Sequence, residues 1–490
     1  NLEKLFTEGK EQVNHDAPVK IYLYNGQKYI KFEDKPFKDR PHFENDFKHN
    51  SPPPPFEDFN RDFMPPPPPL HHLMGKLVLI DELNEDNLGY PILRLNEFDS
   101  NFIGIPSKYC NSITQDIFEN LRLLKNDVLI CRTNGNPKYV GKSAIVMKDT
   151  QFAYASYLFK IRPKKEKINS STLTIFLNSK YGRQEIEKYS MVSNQANFSP
   201  AKFKEIKIPI FSNTFQLEIE TFVKTSYQKL EDSKNLYKEA ESLLLKELDL
   251  VDFTPKNENI AIKSFKDSFM QTGRLDSEYY QTKYDEIEKI ISEQRSFTYI
   301  KNEFNHIKTS FDESKNGYNY IEIGNVNVSD GTNVFNYVET QVLPANAKIN
   351  VKNGDLLVST VRPYRGAVTI IDTSENDLIV SGAFTVLRKK ENSKINTQVL
   401  QVLLRTNIYK ELLLKYNVGT SYPVIKDDDV LNLVIPIIDI SIQNRIEEKI
   451  KKSFLLKEES KRLLDLAKKA VEIAIEKDEN EAVEFINEQI

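Results

Sequence analysis

Cysteine is nearly absent from this 490-residue chain, which carries only Cys110 and Cys131. Two cysteines supply neither a disulfide framework nor a zinc cluster, which points to a reducing compartment and predicts a cytoplasmic protein. No apolar run approaches the ~18 residues of a membrane-spanning helix, and no signal peptide is visible, so no membrane association is expected. The chain opens on Asn1 rather than methionine, as a processed, tagged or excerpted protein would. Histidine is scarce too: His15, His42, His49, His71 and His72 all precede Gly75, leaving His306. Only the adjacent His71-His72 come close to a metal-ligand pair, and such a pair is more often solvated or a tag remnant. An excess of one charge is also missing. The 67 basic and 71 acidic residues give a formal net charge of −4, which excludes a bulk-basic nucleic-acid binder but not local basic patches.

The usual marks of transfer chemistry are missing as well. There is no Asn-Pro-Pro-Tyr or Asp-Pro-Pro-Tyr for adenine methylation, no glycine-rich S-adenosylmethionine loop after a strand, and no Asp…Glu-x-Lys nuclease set. Gly135 to Ser143 looks at first like a phosphate loop. Five residues separate Gly135 from Gly141 where that loop has four, and Ala144–Met147 reads as a strand where the mechanism needs a helix N-terminus. Together these absences favour recognition over catalysis.

What the chain does have is a repeat. Ile208-Pro209-Ile210 recurs as Ile435-Pro436-Ile437, an offset of 227, and the same offset relates Gln216 to Gln443, Ile219 to Ile446 and Ser233 to Ser460. One register held without a gap over this stretch marks a duplicated unit. Upstream, Pro91–Leu95, Asp127–Arg132, Tyr139–Met147 and Ala153–Ile161 read as strands, with Leu77–Ile80 before them, and Ser171–Tyr189 has helical spacing. Tyr320–Ile323, Gly354–Thr360, Ala383–Leu387 and Thr397–Tyr416 repeat that order. The stretch before Gly75 differs: Val19–Phe32 reads as a hairpin around Asn25-Gly26. Two proline runs follow, Pro52–Pro55 and Pro65–Pro69, a stiff spacer or a ligand for an aromatic groove.

Each copy ends in a helix of roughly 37 residues, about 55 Å at ~1.5 Å per residue. In the first, Val223, Leu230, Tyr237 and Leu244 stand seven apart beside Ile219, Ser226, Ser233 and Ala240. In the second, Ile450, Lys457, Leu464 and Val471 accompany Ile446, Ser453, Ser460 and Ala467. A bulky row beside a small row, both of period seven, predicts a closely packed coiled coil. The expected fold is α+β: two repeated globular domains joined by two long antiparallel coiled-coil helices.

Candidate ligand-binding residues cluster in equivalent loops. Arg132, Lys138, Tyr139 and Lys142 surround Asn134, Gly135 and Gly141 in the first copy. Thr360, Arg362, Tyr364 and Arg365 precede Gly366 in the second. Arg and Asn pair with base edges, Lys neutralises phosphates, and Gly permits close backbone approach, so two such loops with different side chains suit two different DNA sequences. A second polar cluster precedes each Ile-Pro-Ile: Asn194, Gln195 and Asn197, then Thr420, Ser421 and Tyr422. These read equally as base-reading turns or as helix caps.

Over roughly residues 76–480 the chain resembles the specificity subunits of type I restriction–modification systems. The resemblance rests on the repeated domains, on Asp127-Val-Leu-Ile with Gly141-Lys-Ser-Ala-Ile-Val, and on Gly354-Asp-Leu-Leu-Val-Ser-Thr. It rests also on Ile-Pro-Ile…Gln entering long helices and on Gly273-Arg-Leu-Asp276…Tyr279-Tyr280. It implies two target-recognition domains, 76–212 and 273–440, each reading half of a split site in double-stranded DNA. Spacer helices would occupy 213–250 and 441–480, with a linker at 251–272 and a tail at 481–490. The resemblance further implies docking of modification subunits, two in number, with restriction or translocase subunits able to join. This chain would hold no cofactor and do no chemistry; S-adenosylmethionine and ATP would belong to partner subunits. The first copy lacks a clear counterpart of Gly273–Tyr280, and residues 1–75 match nothing in the family. The alternatives are the recognition part of a fused restriction–methylation polypeptide and a non-enzymatic coiled-coil adaptor.

Overall fold

The computed structural model describes residues 83–164, 166–190, 196–256, 258, 260–293, 296–419 and 422–489, together with the backbone of 19–24 and 27–32. Val19–Tyr24 pairs antiparallel with Gln27–Phe32, the hairpin expected there. Both proline runs, Leu77–Ile80 and the five early histidines lie outside the described residues.

Each repeat is built on a strand that is buried on both faces. Val128–Cys131 and Leu356–Ser359 are continuously buried, as a strand with both faces covered should be. Val128–Cys131 lies between Leu158–Ile161 and Ser143–Ile145, antiparallel to both. Leu356–Ser359 lies likewise between Phe384–Lys389 and Val368–Ile370. Period-two alternation then divides the side chains. Val128 and Ile130 face the helices, among Leu173, Phe176 and Phe203, while Leu129 and Cys131 face a second small sheet through Leu93 and Ala144. That second sheet is organised by a parallel pair in both copies, Tyr90–Leu93 with Ala153–Tyr154 and Gly317–Ile321 with Leu378–Ser381.

The strand entry is fixed by one ion pair used twice. Asp127 is fully buried, and Arg162 grips it at 2.7 and 3.0 Å. Asp355 and Arg388 repeat this at 2.7 Å for both bonds. Leu124 N–H and Lys352 N–H donate to the same carboxylates. The preceding residues, Asn126 at φ 71° and Gly354 at φ 87°, take the left-handed turn that feeds each strand.

The expected single helices at 171–189 and 397–416 are each two. Ser170–Asn178 stops at Ser179, which caps Lys180–Tyr189, and Thr397–Arg405 stops at Thr406, which caps Asn407–Leu414. Hydroxyl capping redirects the chain there although the apolar pattern continues through it.

The long helices span Asn213–Glu247 and Ile440–Glu476. They run antiparallel, and their small rows meet. Ser226 Oγ lies 2.8 Å from both Oγ and the carbonyl of Ser460; Ser453 Oγ donates to the Ser233 carbonyl at 2.8 Å. The offset of 227 carries the first pair onto the second, so the rod has a local two-fold at its centre. Lys457, the charged member of the bulky row, turns out of the seam to Asp330 and Thr332. Gln216 and Gln443 clamp each helix start. Gln216 Oε1 accepts from Asn169 N–H and its Nε2 donates to the Phe211 carbonyl, while Gln443 does the same with Asn396 and Ile438.

Each globular unit thus packs around one end of the rod. The first shares a core with Ile219, Val223 and Leu230 from the first helix and Leu464, Ala467 and Val471 from the second. The second unit shares its core with Tyr237, Ala240, Leu244, Ile446 and Ile450. Where a tail was expected, Glu479–Gln489 is a helix folded back on the first unit's end of the rod. It buries Ala482 and Ile486, and the Glu479 carboxylate caps Ser212 N–H at 2.8 Å. Among the described residues no helix is long and apolar enough to cross a membrane.

Candidate nucleic-acid interface

In the first unit, the two sequence clusters come together. Thr133–Asn134 pairs antiparallel with Ala196–Asn197, and Phe198 N–H donates to the Arg132 carbonyl. The loop between Arg132 and Lys142 is shaped by its own asparagines. Asn134 Oδ1 accepts from Asn136 N–H at 2.8 Å, and Asn136 Oδ1 accepts from Lys138 N–H at 3.1 Å. These bonds lead into one turn of 3-10 helix, Pro137–Tyr139, with Gly141 at φ 81° closing the loop onto the Cys131 carbonyl. Lys138 and Tyr139 are exposed, and Arg132 and Asn134 are half-buried. Lys142 is also half-buried; burial lowers its pKa, and the charge of Asp99 opposes that shift. Asn197 Oδ1 accepts from the Thr133 hydroxyl at 3.3 Å. Asn194 and Gln195 lie outside the described residues.

The second unit repeats the plan. Val361 bridges to Val424, and Arg362 N–H donates to the Pro423 carbonyl at 2.8 Å. Arg362 takes φ 48°, a left-handed conformation that costs a non-glycine residue about 1–2 kcal/mol. Its guanidinium lies over the Tyr422 ring, 4.8 Å from the centroid, which offsets part of that cost. Pro363–Arg365 forms the matching 3-10 turn, closed by Gly366 at φ 70°. Tyr364, Arg365 and Tyr422 are exposed. Thr360 departs from expectation: it is buried, and its hydroxyl donates to the Ala383 carbonyl, so it shapes the strand end and offers no outward contact. Thr420 and Ser421 lie outside the described residues.

Two further side chains support these loops; Arg274 lies in a motif noted in the sequence, and Arg405 was not singled out there. Arg405 is buried behind the second loop, donating to the Gly366 carbonyl at 2.9 Å, to the Val328 carbonyl at 3.0 Å and to Tyr237 Oη at 2.6 Å. One side chain thereby ties the loop to the first long helix. Arg274 of the Gly273–Tyr280 motif forks onto Asp276 and donates to the carbonyls of Tyr416 and Asn417, just before Val418, which bridges to Val424. An arginine ending the mostly apolar run Val399–Leu404 was the available sequence signal for Arg405. Ser143–Ile145 is a strand, which removes the phosphate-loop geometry, and the described residues hold no cluster suited to a metal.

Residues 73–242 match the family described as type I restriction modification DNA specificity domain. The specificity subunit of the type I restriction enzyme MjaVIII, from Methanocaldococcus jannaschii, is 23% identical over 423 residues, covering 82% of this chain and 88% of that protein. The HindI specificity subunit from Haemophilus influenzae is 30% identical over 106 residues, 21% of this chain and 23% of that one. Among solved structures, the HsdS subunit from Thermoanaerobacter tengcongensis is 14% identical with a TM-score of 0.25, covering 81% of this chain and 94% of that chain. The type I S subunit from M. genitalium is 11% identical with a TM-score of 0.37, covering 80% and 89%. The matched segment ends inside the first long helix, and the repeat carries the same plan through the second half; the chain thus resembles type I restriction–modification specificity subunits.

Proposed function

We propose that this chain is the DNA-recognition subunit of a type I restriction–modification complex and reads a bipartite site. The observation that carries this reading is the antiparallel serine-paired rod, which holds two differently lettered loops at opposite ends about a local two-fold. On this reading residues 76–212 and 273–440 are the target-recognition domains, 213–250 and 441–480 the spacers, and 251–272 the linker. Arg132, Asn134, Lys138, Tyr139 and Lys142, with Asn194, Gln195 and Asn197, serve one half-site. Arg362, Tyr364, Arg365 and Tyr422 serve the other, together with Thr420 and Ser421. The rod docks two modification subunits, and catalysis resides in them. The similarity to specificity subunits speaks against the adaptor reading.

The test is methylation-aware sequencing of the host genome with and without this gene. The reading expects methylation at one split motif that disappears with the gene. Methylation unaffected by the deletion contradicts it.

A further inference from the structure

Arg183 and Lys410 occupy the same place in the two copies, related by the repeat offset of 227. They lie on Lys180–Tyr189 and Asn407–Leu414, the second helix behind each loop. Each presses against the left-handed glycine that closes its loop. A methyl group at Gly141 would stand 2.9 Å from Arg183 Nη1, and one at Gly366 would stand 3.1 Å from Lys410 Cδ. The repeat has let the residue change between Arg and Lys while keeping a basic side chain against the glycine.

Neither cation is in an ion pair among the described residues. Arg183 donates from Nη2 to the Lys138 carbonyl at 3.1 Å, and its Nη1 is buried with no hydrogen-bond partner among the described residues. Burial lowers the pKa of both side chains, while the charges of Glu187 near Arg183 and Glu241 near Lys410 act the other way. A half-buried cation with spare donors is costly unless an anion completes it. Arg183 carries this cost outright, and burial disfavours the charge of Lys410 in the equivalent place, directly behind the loops assigned to DNA.

We propose that Arg183 and Lys410 are a duplicated pair of backbone-phosphate contacts, one per half-site, reaching the DNA beside the glycine of each loop. The inference rests on the DNA-recognition reading above. Such contacts fix where each unit sits on the duplex and carry no base information, which accounts for the cation persisting while the loop letters diverge.

The experiment uses the full chain assembled with its modification subunits. Binding of a duplex carrying the motif and of an unrelated duplex is measured from 50 to 200 mM salt, for Arg183→Gln, Lys410→Gln and the double variant. Each single change should lower the slope of log affinity against log salt by about one, and the double by about two. Both duplexes should weaken by the same factor, and Arg183→Lys should keep the slope. An altered base preference at one half would overturn the phosphate assignment. So would an unchanged slope in variants whose melting temperature has fallen, which would mark a structural role. Wild-type complex that binds the motif, with unchanged slopes in all variants, overturns this inference alone. Wild-type complex that binds no duplex overturns the parent reading with it.

Discussion

Asp127 and Asp355 show how little freedom a buried charge has. Each carboxylate is fully enclosed, and its guanidinium partner reaches in from a partly exposed position. Removing the partner strands an ionised group out of water. Arg162→Leu should therefore cost about 3 kcal/mol, the low end for a broken buried pair because Arg162 is itself half exposed. Denaturant unfolding would read this as a lower midpoint; an unchanged midpoint would mean that water or another donor replaces the arginine. Arg362 is strained and stacked on Tyr422, with no ion pair among the described residues. Arg362→Ala should lose about 1–3 kcal/mol of discrimination, as a base-reading arginine does, and should relax base preference in one half-site only. Competition binding against duplexes altered in either half would show it, and equal relaxation in both halves would refute the assignment. The residue types at these loops were legible from sequence; their facing was not. Thr360 has the right chemistry but points inward, because just past the strand both its N–H and its hydroxyl bond the Ala383 carbonyl.

At the scale of elements, the long helices were the most legible feature, because a period of seven sustained along each helix is the mark of a coiled-coil seam. The serines in the small row let the backbones approach and then bond across the gap. Ser233→Leu should overpack this row and cost about 1–3 kcal/mol, read as a fall in melting temperature. A variant with unchanged melting would show that the helices separate easily. Gln216 and Gln443 were visible as repeated letters, yet their work as clamps needed coordinates, since their partners Asn169 and Asn396 stand 47 residues upstream in each copy. The breaks at Ser179 and Thr406 were hidden for a different reason. Apolar residues continue on both sides, and only the capping hydroxyls mark the change of direction. Two-residue strands such as Phe98–Asp99 and Phe102–Ile103 are too short to show a period at all.

For the whole molecule, the rod is a ruler. Both units are anchored to its ends through shared cores, so their separation follows helix length rather than linker slack. Inserting seven residues into each long helix at its centre, after Lys229 and after Leu456, keeps the seam in phase. It adds ~10 Å at ~1.5 Å per residue, and should lengthen the gap between half-sites by about three base pairs at ~3.4 Å each. The half-site sequences should stay the same, since no loop is touched. An assembled variant that still recognises the original gap would show that 251–272 sets the spacing instead.

The most direct measurement is selection of bound duplexes from a random-sequence library by the chain assembled with its modification subunits, followed by sequencing of the bound pool. The account predicts two short, different motifs separated by a constant stretch of unselected bases. A single contiguous motif, two motifs at variable separation, or no enrichment over the starting library would contradict it.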